Sequence, residues 1–328
     1  MSKPVVLCTG TTVAEHCQKI LRDNGFEMAF MKLPIGEEDM IAALSRPNVV
    51  AVMLRGSPPL NARVLAAAKD LKIISKYGAG VDSVDIAEAT QRGIAVMVAN
   101  GANADGVAEL ALTLMLGLAR QLPKFGRDAR EGRWKDMNYN VRDFKAHTVG
   151  IVGYGQIGRR AARLAAACGA KVVINSRSKV EPPEGMAWEG DFDAFLKRVD
   201  IVSLHCPLTE KTRGLLGERE LGLMKKGSFV VNTARGTVID EPALVAALKS
   251  GHLGGAGLDT YAVEPPALDN PLFSLPNVIL TPHIASSTTD SQDQLGTIAS
   301  NNIVSWLLRG EVYDAANFLN PEVAKALV

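Results

Sequence analysis

Three glycines, Gly153, Gly155 and Gly158, are spaced as G-x-G-x-x-G between two short apolar runs of the chain. In dinucleotide-binding turns the first glycine permits a tight turn, the second lets the backbone approach the pyrophosphate, and the third lets the next helix pack closely on the sheet. That helix adds unpaired N–H groups and the positive end of its dipole. The strand–helix–strand context favours such a site over a plain glycine turn. The turn also includes Tyr154, Gln156 and Ile157.

The second apolar run ends in the sequence NSRSK at 175–179, which contains no acidic residue. Sites for NAD(H) usually carry an Asp or Glu about 20 residues after the glycines, where it accepts from the ribose 2′-hydroxyl. Here Arg177 can fork onto a 2′-phosphate, and Ser176 and Ser178 can donate to it. The sequence therefore favours NADP(H). A solvated basic loop in a site that binds NAD(H) is the other interpretation.

Reduction of a carbonyl by a nicotinamide also needs a proton donor, a cation that polarises the carbonyl, and a group that tunes the pKa of the donor. Histidine is the usual donor near neutral pH. Among five histidines, His205 and His283 lie at the carboxyl ends of predicted strands, so both remain candidates. Arg235 and Glu264 also lie in segments that follow strands, where open α/β sheets bind ligands. The simpler interpretations are a structural histidine, a surface ion pair and a solvated loop acid.

The elements that must position these residues alternate between strand and helix. Over the first hundred residues this alternation predicts a small parallel α/β domain with strands at 5–9, 28–33, 49–54, 71–75 and 94–98. Two turns at strand ends, Arg55-Gly56-Ser57 and 77–82, could hold an anion on backbone N–H groups or could be ordinary connections. A predicted helix at 107–122 is apolar on nearly all faces, which favours a domain or subunit interface.

A polar segment at 124–145 marks the crossing into a second domain. We expect the long amphipathic helix at 294–309 to pack back on the first domain. The predicted domains are therefore 1–99 plus 285–328, which binds the substrate, and 100–284, which binds the dinucleotide.

The length, net charge, apolar stretches and cysteines of the chain limit the classes of protein to which it can belong. The chain has 328 residues and a net charge of +1, which gives no footprint for nucleic acid or an anionic membrane. No apolar stretch is long enough to span a bilayer, and the N-terminus lacks a signal-length apolar region. The four cysteines form no CxxC pair, so we expect a reduced, cytoplasmic protein and no metal.

Several ordered stretches resemble the D-isomer-specific 2-hydroxyacid dehydrogenases. They are NTARGTVID at 232–240, GAGLDTYAVEP at 255–265, TPHIASST at 281–288, HCPLT at 205–209 and YGAGVDSVDI at 77–86. The resemblance implies an α/β fold of two doubly wound parallel-sheet domains, flavodoxin-like or Rossmann-like, with a cleft between them. It also implies a homodimer that acts on a small 2-keto or 2-hydroxy acid.

The resemblance further implies that Arg235, Glu264 and His283 form the catalytic set, and so favours His283 over His205. His283 would protonate the carbonyl oxygen, Glu264 would keep the imidazole protonated and aimed, and Arg235 would bind the substrate carboxylate. Asp259 would hold the nicotinamide amide. The other residues that the resemblance assigns to the cofactor are His205, Cys206, Pro207, Thr212, Thr233 and Ala234.

For the substrate, the resemblance implies contacts from Arg55, Gly56, Gly80 and Val81, besides Arg235 and His283. Trp134 matches a family tryptophan that can reach the neighbouring subunit's site.

Two substrates suit these features. The turn at 55–57 resembles the phosphate loop of NAD-dependent phosphoglycerate dehydrogenases of serine biosynthesis, although we expect no regulatory domain after residue 328. The Ser176-Arg177 pair is more typical of NADPH-using glyoxylate/hydroxypyruvate reductases, which is the function that we favour. A nucleotide-sensing binding protein on the same fold, like the C-terminal-binding corepressors, remains a further alternative.

Overall fold

The computed structural model describes residues 3–134 and 141–325. The chain divides into two compact units. Unit 1 consists of Met1–Asn103 and Thr289–Val328, and unit 2 consists of Ala104–Thr288. Elements are numbered along the chain.

The N-terminal part of unit 1 forms a five-stranded parallel sheet in the order β2-β1-β3-β4-β5, which is a flavodoxin-like arrangement. Its strands are β1 (Val5–Cys8), β2 (Glu27–Phe30), β3 (Val49–Leu54), β4 (Ile73–Lys76) and β5 (Ala95–Met97). Its helices are α1 (Glu15–Asp23), α2 (Glu37–Leu44), α3 (Ala62–Ala67) and α4 (Ile86–Gln91). β3 and β4 are buried almost throughout, as expected for parallel strands covered by helices on both faces.

Unit 2 forms a seven-stranded parallel sheet in the order β12-β11-β10-β9-β6-β7-β8. Its strands are β6 (Thr148–Val152), β7 (Lys171–Asn175), β8 (Met186–Trp188), β9 (Ile201–Leu204), β10 (Ser228–Asn232), β11 (Leu253–Leu258) and β12 (Val278–Leu280). Its helices are α5 (Ala104–Ala119), α6 (Leu122–Arg130), α7 (Gln156–Ala167), α8 (Phe192–Arg198), α9 (Glu218–Leu223) and α10 (Glu241–Lys249). The strand order is that of a dinucleotide-binding sheet, and it reverses between β6 and β9.

The C-terminal part returns to unit 1 through α11 (Thr289–Val304), a π-turn (Ser305–Arg309) and α12 (Glu322–Lys325). α11 packs against α1 so closely that a Cβ on Gly296 would lie 2.4 Å from the Cys17 sulfur. The Ser75 hydroxyl on β4 also donates to the Ala299 carbonyl at 3.0 Å. α11 is therefore part of unit 1, together with the N-terminal residues.

The fold class predicted from the sequence is confirmed, and some elements differ from the prediction. The helix predicted at 107–122 ends at Ala119, where Gln121 adopts a left-handed φ of 49°. A second helix, α6, then occupies part of the segment that we interpreted as polar connection. Pro123 lies in its first turn, a common helix start that the polar composition concealed.

None of the helices in the described residues has the length and apolarity that a membrane span requires. The described residues also contain no group of three or more His, Cys, Asp or Glu side chains placed to hold a metal ion.

Candidate active site

The glycine turn after β6 has the geometry of a cradle for a ligand. Gly153 has a φ of 92°, and a Cβ there would lie 2.7 Å from the Cys206 amide nitrogen. A Cβ on Gly158 would lie 2.0 Å from the Gly153 carbonyl oxygen, so only glycine lets α7 start this close to the strand. Nothing lies within 4 Å of a Cβ built on Gly155. The backbone at Gly155 is therefore open to a pyrophosphate at the N-terminus of α7.

The segment after β9 forms the other side of this turn. His205 and Cys206 contact Gly153 through their main chains. The Thr212 hydroxyl donates to the Pro207 carbonyl at 2.7 Å, which fixes the turn that follows. Sequence reasoning assigned all of these residues to the cofactor, and the structure places them at the point where the strand order reverses.

At the end of β7, Arg177 is exposed and its guanidinium forms no hydrogen bond or ion pair with the described residues. The Ser176 hydroxyl donates to the Ser178 carbonyl at 2.8 Å and accepts from the Trp188 indole nitrogen at 3.2 Å. The Ser176 proton is thus already used within the loop, whereas the sequence suggested that it would bind a phosphate.

The two residues at the centre of the site are His283 and Glu264. The Nδ1 atom of His283 lies 2.6 Å from Oε2 of Glu264, and both side chains are partly exposed. The other Glu264 oxygen accepts from the Tyr261 amide at 3.0 Å. His283 has a left-handed φ of 55°, which is uncommon for a residue other than glycine. Such a conformation persists only where the surrounding structure holds it.

Each partner shifts the titration of the other. The hydrogen bond to Glu264 raises the pKa of His283, against the opposing effect of burial. Burial alone would raise the pKa of Glu264, but hydrogen bonds from His283 and from the Tyr261 amide outweigh it and lower that pKa. The arrangement therefore favours an imidazolium beside a carboxylate, with the second ring nitrogen of His283 left to act on a ligand.

Arg235 follows β10 in a loop fixed by Asn232. The Asn232 side chain donates to the Arg235 carbonyl at 2.9 Å and accepts from the Ala234 amide at 3.0 Å. A Cβ on Gly236 would lie 1.9 Å from the Tyr261 carbonyl carbon, so this loop packs directly on the loop after β11. The positive charge of Arg235 lowers the pKa of both Glu264 and His283. Arg235, Glu264 and His283 thus form one electrostatic group.

Asp259 has no exposed surface and lies below the His283 segment. Its carboxylate accepts from the Thr281 hydroxyl at 2.6 Å and from the Ile284 and Ala285 amides, each at 2.9 Å. The resemblance implied a contact between Asp259 and the nicotinamide amide. These hydrogen bonds show that Asp259 holds the segment that carries His283, and the contact with the nicotinamide amide stays a prediction.

His205 lies in a different environment. Its Nε2 atom is 2.9 Å from the Ser203 hydroxyl, and its Nδ1 atom is buried with no partner among the described residues. Burial lowers the pKa of His205 to about 4. The neutral form of this imidazole is therefore favoured near pH 7, which makes His205 a weaker candidate for the proton donor than His283.

In unit 1, the predicted substrate residues lie at the carboxyl ends of β3 and β4. The Arg55 guanidinium lies 4.7 Å from the Tyr77 ring centre and donates to Gln292 at 3.0 Å. Sequence reasoning missed Lys76, which is buried and donates to the Gly56 carbonyl. A lysine that ends an apolar strand was the signal that could have found it.

Three further predicted residues are partly or largely exposed. Gly80 and Val81 lie in the turn after β4, and Trp134 of unit 2 is 74% exposed.

Comparison with known proteins identifies relatives over most of the chain. Residues 112–285 match the family model described as the NAD binding domain of D-isomer specific 2-hydroxyacid dehydrogenases. A D-3-phosphoglycerate dehydrogenase of Archaeoglobus fulgidus is 38% identical over 93% of this chain and 58% of its own length. The chain thus spans about three fifths of the length of such relatives.

Two further relatives carry a different activity in their names. A hydroxypyruvate reductase of Thermotoga maritima is 38% identical over 76% of this chain and 82% of its own length. The solved structure of an NADPH-dependent glyoxylate/hydroxypyruvate reductase of Sinorhizobium meliloti, in complex with NADP and malonate, aligns with a TM-score of 0.83. Its sequence is 28% identical, and the alignment covers 97% of each chain.

Proposed function

We propose that this chain, which belongs to the D-isomer specific 2-hydroxyacid dehydrogenase family, reduces glyoxylate or hydroxypyruvate, both small 2-keto acids, with NADPH. The observation that carries the proposal is the 2.6 Å contact between His283 and Glu264, with the charge of Arg235 acting on both. A proton donor, a group that tunes it and a cation for the carbonyl are the three parts that such a reduction needs.

The residues at the glycine turn fit a dinucleotide. Gly153 and Gly158 leave no room for a Cβ, whereas the space above Gly155 is open. We assign the pyrophosphate to this turn and to the N-terminus of α7, and the rest of the dinucleotide to 205–207, Thr212 and the Thr233-Ala234 pair. When bound, the dinucleotide supplies the hydride that reaches the carbonyl carbon of the substrate.

The protein then supplies the proton and the orientation. His283 holds Glu264 through Nδ1, so its Nε2–H gives the proton to the carbonyl oxygen and the product is the 2-hydroxy acid. Glu264 stabilises the imidazolium before transfer. Arg235 binds the substrate carboxylate and polarises the carbonyl, and Asp259 holds the His283 segment. From unit 1 we assign Gly80 and Val81 to the carboxylate.

The preference for NADP(H) rests on the end of β7. No acidic side chain stands at 175–179 to accept from a ribose 2′-hydroxyl, and the exposed Arg177 is available to a 2′-phosphate. The Sinorhizobium meliloti reductase, whose structure contains NADP, supports this choice.

A second candidate function is that of a D-3-phosphoglycerate dehydrogenase, with NAD(H). Two cations in unit 1 favour it: Arg55 at the end of β3, and the buried Lys76, which is held on the Gly56 carbonyl. The phosphate of a phosphorylated substrate is an anion that a guanidinium and an ammonium bind well. The names of several relatives support the same reading.

Initial rates with NADPH and with NADH, on hydroxypyruvate, glyoxylate and 3-phosphohydroxypyruvate, test both proposals. We expect turnover of hydroxypyruvate or glyoxylate with NADPH, and a preference of at least tenfold in kcat/KM over NADH. A preference for NADH and 3-phosphohydroxypyruvate would replace the first proposal by the second. Dinucleotide binding without turnover of any 2-keto acid would contradict both and favour a nucleotide sensor.

We also propose a homodimer in the cytoplasm. All four cysteines are free thiols, which suits a reducing compartment. The exposed Trp134 supports contact with a second copy, because a large apolar ring is costly to leave in water. Light scattering on the purified protein would give twice the mass of one chain, and a monomer would contradict this proposal.

A further inference from the structure

The loop that follows β7 is held from the neighbouring strand β8 by a side chain that no part of the proposed function uses. The indole nitrogen of Trp188 donates to the Ser176 hydroxyl at 3.2 Å, and that hydroxyl donates to the Ser178 carbonyl at 2.8 Å. The two hydrogen bonds form a relay across the loop. Because one donor polarises the next, the relay restricts the loop more than either bond would alone.

The same indole ring contacts a cation. The Lys179 ammonium lies 6.0 Å from the ring centre of Trp188, at the outer limit of a cation–π interaction. Lys179 is exposed, and it stands two residues from Arg177 in the same loop. Trp188 therefore contacts the basic segment at both ends: it donates a hydrogen bond to Ser176 at the start, and its ring faces the Lys179 ammonium at the end.

Trp188 is itself fixed in place. A Cβ on Gly190 would lie 2.4 Å from the far edge of the indole, so glycine at this position is what lets the ring lie flat against the chain. The Asn175 side chain donates to the Glu189 carbonyl at 2.8 Å and ties the end of β7 to the segment that follows β8. The backbone next to Trp188 is thus tied to β7, and the ring packs on Gly190, so the ring can support the loop.

We propose that Trp188 is a positioning residue for recognition of the 2′-phosphate of NADP(H), and that Lys179 is the second cation of that site beside Arg177. Ser176 then acts as the centre of the relay rather than as a phosphate donor. Holding the loop in its binding conformation lowers the entropy lost when the phosphate binds. The inference deepens the proposed cofactor preference and depends on it.

Calorimetric binding of 2′,5′-ADP and 5′-AMP tests the inference without turnover. These probes share the adenosine and differ at the 2′-phosphate. We expect the wild-type chain to bind 2′,5′-ADP at least tenfold more tightly than 5′-AMP. Trp188→Phe keeps an aromatic ring and removes the N–H donor, so it should reduce this ratio about three- to tenfold, the effect of one hydrogen bond, while the affinity for 5′-AMP stays unchanged.

Lysine variants give a matched pair. Lys179→Met should reduce the ratio of the two affinities by a similar factor. Lys171→Met should leave it unchanged, because Lys171 is an exposed lysine at the start of β7, at the other end from the loop. Quenching of tryptophan fluorescence by 2′,5′-ADP should also be weaker in Trp188→Phe. If that variant does not fold, Ser176→Ala breaks the same relay.

Three outcomes would overturn the inference: equal loss of affinity for both probes in Trp188→Phe, no loss for either, or a wild-type chain that does not distinguish the probes. Failure of the proposed reduction has a separate signature, because it appears as absent turnover in the rate assay while these binding ratios remain measurable.

Discussion

Two segments of unit 2 carry a histidine just beyond a strand of the same sheet, and they give that histidine opposite properties. In segment 203–207, burial lowers the pKa of His205 to about 4, and Nε2 of the ring is hydrogen-bonded to the Ser203 hydroxyl. In segment 281–285, the hydrogen bond to Glu264 raises the pKa of His283, and the ring is partly exposed. One imidazole is neutral near pH 7, and the other is favoured as its cation.

The difference lies in what each segment packs against. The main chain at His205 lies against Gly153, in the turn where the strand order reverses, and the Nδ1 atom of the ring is buried. The His283 segment is held from below by Asp259, which leaves the ring at the surface beside Glu264. Position at the carboxyl edge of a sheet thus makes a residue a candidate for catalysis. The neighbouring charges and the burial decide whether it can hold a proton.

The largest effect that we predict is a fall in kcat when His283 is replaced, and the same replacement at His205 tests the difference between the two segments. His283→Gln should lower kcat for reduction about 10³-fold, the usual scale for loss of a general acid. The Kd of NADPH should stay nearly unchanged, because the residue contacts the reacting carbonyl in our assignment. His205→Gln, the matched control, should lower kcat less than tenfold. Unchanged turnover in His283→Gln would transfer the role of proton donor to His205.

The positions of both histidines at strand ends, and that of the glycine turn, could be predicted from the sequence. The strand–helix alternation places both histidines and Arg235 at the carboxyl edge, and the glycine spacing locates the turn, because these patterns are local. A close backbone approach such as that of Gly158 to Gly153 leaves a glycine in the sequence at the point of contact.

The rest depends on contacts between distant parts of the chain. The choice between His205 and His283 needs burial and the contact with Glu264, neither of which has a local signal. The hydrogen bond that the Ser176 hydroxyl accepts comes from Trp188, which lies on the three-residue strand β8, too short to show an alternating pattern. Lys76 has a local signal, a lysine at the end of an apolar strand, but its burial is set by the fold.

The second prediction concerns stability in acid. The pKa of His205 is about 4 in the folded chain, below the ordinary value of 6.5, so the unfolded state binds the proton more tightly. Stability is full above pH 6.5 and is lost as pH falls toward 4, by roughly 3 kcal/mol from this residue. His205→Gln should flatten that part of the curve in urea unfolding at several pH values. A parallel curve would show that His205 is not buried as a neutral ring.

The smallest effect that we predict follows the replacement of Glu264, the hydrogen-bond partner of His283. Glu264→Gln keeps a hydrogen-bond acceptor beside Nδ1 and removes the charge, so the rate of reduction should fall about tenfold at neutral pH. The reduction needs protonated His283, and the rate falls as pH rises through the pKa of that residue. Since the carboxylate raises this pKa, its loss should move the alkaline fall of kcat/KM to lower pH. An alkaline limb that stays in place would mean that Glu264 orients the ring without setting its charge, and the contrast with His205 would then rest on burial alone.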